Sequence, residues 1–139
     1  HNNLLNNILA KIESNKKNAD DAIMLDYEGF VSETNATNIF MVKNDTVYTP
    51  FPSYCLPGIT RGHIISLCKL NGINIKEKNI TVEEIKTSEE VFVTGTMGEL
   101  TPVNRIDDYV LKSKIDFSYF QEIDKLFKDS VKMLSENVV

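Results

Sequence analysis

Two short apolar runs flank Asn44-Asp45, residues 38–43 and 46–49, and this arrangement constrains the fold more than any other feature of the chain. Asn and Asp tolerate the positive φ that a two-residue turn requires, so the segment predicts a β-hairpin. Just upstream, residues 22–25 and 30–33 flank Asp26-Tyr27-Glu28-Gly29 and predict a second hairpin. Consecutive hairpins make an antiparallel sheet. Further strands are predicted over residues 73–76, 90–94 and 101–106, the first from the alternation in Ile73-Asn74-Ile75-Lys76.

Helices fall between and after these runs. Leu4, Leu5, Ile8, Leu9 and Ile12 recur at helical spacing, so residues 3–14 predict an amphipathic helix. Thr60 is placed to cap a helix carrying Ile64, Ile65, Leu67, Cys68 and Leu70, stopped by Asn71-Gly72. Thr81-x-x-Glu84 is a capping box for a short helix through Lys86. A stripe of Tyr119, Phe120, Ile123, Leu126, Phe127, Val131 and Leu134 marks one face of a last helix, a face for packing. The expected fold is a mixed α/β (α+β) domain: a largely antiparallel sheet packed with helices.

Hydrophobic residues make up 42% and charged residues 25% of 139, proportions with which one globular domain buries a core. A net charge of −5, with Lys16-Lys17 the only adjacent basic pair, argues against a nucleic-acid footprint. No apolar run approaches the roughly 20 residues needed to span a bilayer, so no membrane partner is expected. Cys55 and Cys68 have no C-x-x-C spacing, and His1 and His63 are isolated, so the reading is reduced thiols, no metal and a cytoplasmic setting.

Two turns carry the chemistry. In Thr94-Gly95-Thr96 a glycine between threonines ends the apolar strand Val91-Phe92-Val93, presenting backbone N–H groups and hydroxyls together. In Gly58-Ile59-Thr60 a glycine precedes a helix start, where amides meet the positive end of the helix dipole. Two anion-ready turns suggest a phosphorylated cofactor together with a carboxylate substrate. Each also reads as an ordinary structural turn.

These turns, read with the runs Ala19-Asp20-Asp21-Ala22-Ile23-Met24-Leu25-Asp26, Gly29-Phe30-Val31-Ser32-Glu33, Asn38-Ile39-Phe40, Tyr48-Thr49-Pro50 and Leu56-Pro57-Gly58-Ile59-Thr60-Arg61, resemble the class IV aminotransferases, pyridoxal-phosphate enzymes of fold type IV. That group includes branched-chain and D-amino-acid aminotransferases and aminodeoxychorismate lyases. The likeness covers residues 1–107 in order, and the tail from Asp108 departs from it. It implies that residues 1–139 are the carboxy-terminal, large cofactor-binding domain, with the amino-terminal domain absent. It also implies that no catalytic residue lies in the chain, the Schiff-base lysine falling just upstream of His1.

The resemblance assigns roles residue by residue. Glu33 stands where a glutamate faces the pyridine nitrogen of pyridoxal 5′-phosphate, and Gly58, Ile59 and Thr60 where the cofactor phosphate is held. Gly95 and Thr96 add phosphate donors, and the backbone of Thr96 and Met97 receives the substrate carboxylate. Arg61, one residue into the helix, is read as structural. The expected function is amino-group transfer between an amino acid, branched-chain-like, and a 2-oxo acid, in a homodimer. Alternatives are a lyase-type elimination and a non-catalytic association domain.

Overall fold

The computed structural model describes residues 10–14, 20–34, 37–52, 58–94, 99–111 and 117–137. They form nine strands and three helices. The strands are β1 (Ala10–Ser14), β2 (Asp20–Leu25), β3 (Val31–Thr34), β4 (Ile39–Lys43), β5 (Thr46–Thr49), β6 (Ile75–Glu77), β7 (Glu90–Thr94), β8 (Leu100–Ile106) and β9 (Tyr109–Val110), and the helices α1 (Ile59–Leu70), α2 (Val82–Lys86) and α3 (Ser118–Asn137). One curled sheet runs β3-β2-β1-β8-β7-β4-β5-β6, with β9 on β8. Each of these pairings is antiparallel except that of β6, which joins β5 in parallel.

Both hairpins form as the turns predict. Asn44 and Asp45 take φ of 51° and 61°, the primed geometry that matches strand twist. In the first hairpin Gly29 reaches φ 90°, the Gly29 N–H donates to the Asp26 carbonyl and the Asp26 N–H to the Phe30 carbonyl. A bulge at Met24/Leu25 pairs Val31 with Leu25 but Glu33 with Met24, breaking the two-residue alternation between Val31 and Glu33.

Two cores sandwich the sheet, and β4 and β7 supply both. Ile39, Met41, Val91 and Val93 pack with Ile23, Val31, Ile80 and Ile85 on the face that α2 covers. Phe40, Val42 and Phe92 point the other way, onto Ile64 and Cys68 of α1 and Ile123 and Phe127 of α3. Phe40 and Phe92 pair across the strands and stack at 5.1 Å. This is why both strands read as unbroken apolar runs: neither has a solvent face.

Three expectations change. The helix predicted over residues 3–14 is replaced at its end by β1, and residues 1–9 lie outside the described residues. Ala10 and Ile12 are buried with Lys11 exposed between them, and β1 bonds to β2 on one side and β8 on the other. Pairing on both edges overrides a five-residue helical periodicity. Thr60 does not cap α1, because the helix already begins at Ile59 with Gly58 as its N-cap. The last apolar stripe divides: Tyr119, Phe120, Ile123, Leu126 and Phe127 pack on the core, whereas Val131, Met133 and Leu134 stay exposed. The strand β9 carries no sequence signal beyond two residues.

Candidate anion-binding site

The amino ends of the three helices are finished differently. The α2 end closes with the full Thr81/Glu84 capping box. At α3 the buried Glu90 carboxylate accepts the Tyr119 N–H at 3.1 Å and the Phe120 N–H at 2.8 Å. Burial raises the Glu90 carboxyl above its ordinary value, against the pull of those two amides. The α1 end has no side-chain cap among the described residues, and no acidic residue stands in its first turn. Its first amides are therefore placed for a ligand, with no carboxylate in that turn to repel an anion.

Gly58, Ile59 and Thr60 form that bare end. Gly58 is extended, with φ −65° and ψ 142°, and Ile59 is 92% exposed. Thr60 sits half-buried within the first turn, one residue past the helix start, and caps nothing there. Arg61 turns away from this end: it is 6% exposed, its Nη2 donates to the Pro50 carbonyl at 3.0 Å and it is ion-paired with Glu77. The structural reading of Arg61 therefore holds.

The second turn adjoins the first through Asn38. The Asn38 N–H donates to Thr94 Oγ1 at 3.0 Å, and the Asn38 carbonyl accepts the Thr94 N–H at 3.0 Å. A Cβ at Gly58 would stand 2.5 Å from Asn38 Oδ1. One residue thus touches both the N-cap of α1 and the last residue before Gly95. Gly95, Thr96 and Met97 themselves lie outside the described residues, and Glu33 is placed by its backbone, opposite Met24 in β2. Sequence reasoning used Asn38 only as a marker of the run; no spacing announces a contact made 56 residues along the chain.

Other clefts lack this character. A broad depression lined by Glu83, Lys86, Thr87, Asp107, Asp108 and Tyr109 carries three carboxylates, and the Lys86 ammonium in it is already paired with Asp107 at 3.3 Å. An anion is repelled there.

A curled antiparallel sheet whose uncapped helix end lies beside a glycine-threonine turn is the frame of a phosphate-binding domain. Residues 1–106 match the family described as amino-transferase class IV, and the chain belongs to that family. It is 62% identical over 111 residues to the branched-chain-amino-acid aminotransferase-like protein 2 of Arabidopsis thaliana, covering 80% of this chain and 20% of that protein. A putative branched-chain-amino-acid aminotransferase of Methanocaldococcus jannaschii is 42% identical over 129 residues, 91% of this chain and 44% of its own. The crystal structure of the T.th. branched-chain amino acid aminotransferase complexed with N-(5′-phosphopyridoxyl)-L-glutamate superposes with a TM-score of 0.73 at 31% identity, covering 81% of this chain and 38% of that one. The chain thus spans from a fifth to under half the length of these relatives.

Proposed function

We propose that this chain is the large cofactor-binding domain of a pyridoxal-phosphate-dependent aminotransferase that moves an amino group between a branched-chain-like amino acid and a 2-oxo acid. One observation carries the reading: the bare end of α1 at Gly58, Ile59 and Thr60, held by Asn38 against the strand that runs into Gly95 and Thr96. An amide-rich, acid-free helix end suits a phosphate dianion, and the phosphopyridoxyl group complexed with the T.th. enzyme is of that class.

In this reading the amides of residues 58–60 and the Thr60 hydroxyl receive the phosphate from one side, and Gly95 and Thr96 receive it from the other. Phosphate held at two turns orients the whole ring, which converts binding into alignment of the reacting carbon. Glu33 holds a proton at the pyridine nitrogen. A carboxylate at about 4 Å favours that proton by roughly 4 kcal/mol at an effective dielectric near 20. The Thr96 and Met97 backbone fixes the substrate carboxylate. When bound, pyridoxal phosphate supplies the electron-poor ring that takes up the charge released at the substrate Cα. The lysine that takes part in the chemistry is expected upstream of His1, the remaining pocket wall in an amino-terminal domain, and the working form is a cytoplasmic homodimer.

The test is substrate transfer by the chain together with the residues upstream of His1. Leucine, isoleucine and valine are each paired with 2-oxoglutarate, and glutamate is measured. Glutamate formation is the expected result. Its absence with all three, together with release of an aminobenzoate from 4-amino-4-deoxychorismate, moves the protein to the lyases.

A further inference from the structure

Asn38 meets the site in two independent ways. Through its backbone it clasps Thr94, giving an N–H to Oγ1 and taking the Thr94 N–H on its carbonyl, both at 3.0 Å. Thr94 is buried, so the clasp is shielded from competing water. Through its side chain it lies against Gly58, where any Cβ would meet Oδ1 at 2.5 Å. The backbone at Gly58 is of a kind that every residue adopts. The close approach of Asn38, and not a strained φ, is what requires glycine there.

We propose that Asn38 is a positioning residue that sets the spacing between the amino end of α1 and the turn after β7, so that one phosphate can be held by both. The proposal rests on the reading of residues 58–60 and 95–96 as phosphate donors. Hydrogen bonds weaken steeply once donor and acceptor drift past about 3.2 Å, so a phosphate gripped from two sides tolerates little change in spacing. Removing the Asn38 side chain leaves the clasp on Thr94 intact, because that clasp is made by backbone, but frees Gly58 to shift. Adding a methyl at Gly58 acts from the other direction, by driving the Asn38 amide away.

The test compares pyridoxamine 5′-phosphate with pyridoxamine, by calorimetric titration of the full chain. Wild type favours the phosphorylated ligand. Asn38→Ala is expected to reduce that preference tenfold or more with the pyridoxamine affinity unchanged. Gly58→Ala does the same, and Gly58→Ala combined with Asn38→Ala is no weaker than Asn38→Ala alone, because the methyl then has room. Circular-dichroism melting establishes that each variant is folded, and Asn38→Ser, a smaller polar replacement, serves in place of an Asn38→Ala that does not fold. Undiminished phosphate preference in the Asn38 variants overturns the proposal, as do Gly58 and Asn38 losses that simply add. A wild-type chain with no preference for the phosphate overturns the phosphate reading itself, a result distinct from equal preference in wild type and variants.

Discussion

At the scale of single residues, charge placement decides what each side chain can do. Glu33→Gln is expected to lower turnover far more than cofactor affinity, because an amide still hydrogen-bonds but cannot hold a proton on a ring nitrogen. Single-turnover rates and cofactor dissociation measured side by side check it, and an unchanged rate of Cα-proton removal assigns Glu33 elsewhere. Cys68 illustrates the opposite case of a reactive group made inert. Burial among the α1 and α3 side chains, with Glu122 nearby, pushes its thiol up to about 11. At pH 8 only about one molecule in a thousand then carries the thiolate, the form that reacts. A disulfide reagent should leave Cys68 unmodified in the native chain and modify it in urea, as mapped by mass spectrometry.

Among the elements, the ends of the helices are more telling than their lengths. Glu90 fills for α3 the role that the capping box fills for α2, from a different strand. Glu90→Ala leaves the Tyr119 and Phe120 amides without their acceptor, an expected loss of about 1–3 kcal/mol in urea unfolding. The pH dependence has a definite sign. A carboxyl raised in the folded state stabilises fully below its unfolded value of 4.5, and that contribution is lost as pH rises through the raised folded value. Relative to Glu90→Gln, wild type should therefore gain stability between neutral pH and 4.5; a constant difference across that range removes the linkage.

Local chemistry made much of this legible. The turn at Asn44-Asp45, the stop at Asn71-Gly72 and the Thr81/Glu84 box each involve residues within a few positions, and all appear as the sequence predicts. What was not legible depends on partners far along the chain. Glu90 looks like any strand residue until its amides arrive 29 and 30 residues later. Ile12 completes a helical pattern on paper and pairs with Ile106 in the sheet. Of the site, the bare end of α1 could be read from Pro57-Gly58, while the contact of Asn38 that holds it could not.

For the whole molecule, the expected absence of the lysine makes a sharp statement. The 139-residue chain by itself should show no amino transfer. Treatment with pyridoxal phosphate and borohydride should trap no single lysine stoichiometrically, and one modified lysine within the chain, found by peptide mapping, reverses this. Association is expected too. Val131, Met133 and Leu134 expose apolar surface on α3, and such surface drives self-contact. Sedimentation at micromolar concentration should give a dimer or larger species, with Met133→Glu and Leu134→Glu together shifting it toward 15.8 kDa. No helix among the described residues is long and apolar enough to cross a membrane.

The seam between β1 and β8 also bears on how the chain is made. The Lys11 N–H reaches Asp107 Oδ1, 96 residues away, and the Asp107 N–H returns to the Lys11 carbonyl. A ribosome adding about 5–20 residues per second takes roughly 5–20 s to deliver that partner. Through that interval β1 is a strand with one open edge, a template for whatever other edge comes near. Newly made chains should need holding in that window, and synthesis, rather than unfolding of the finished domain, is where losses to aggregation would concentrate.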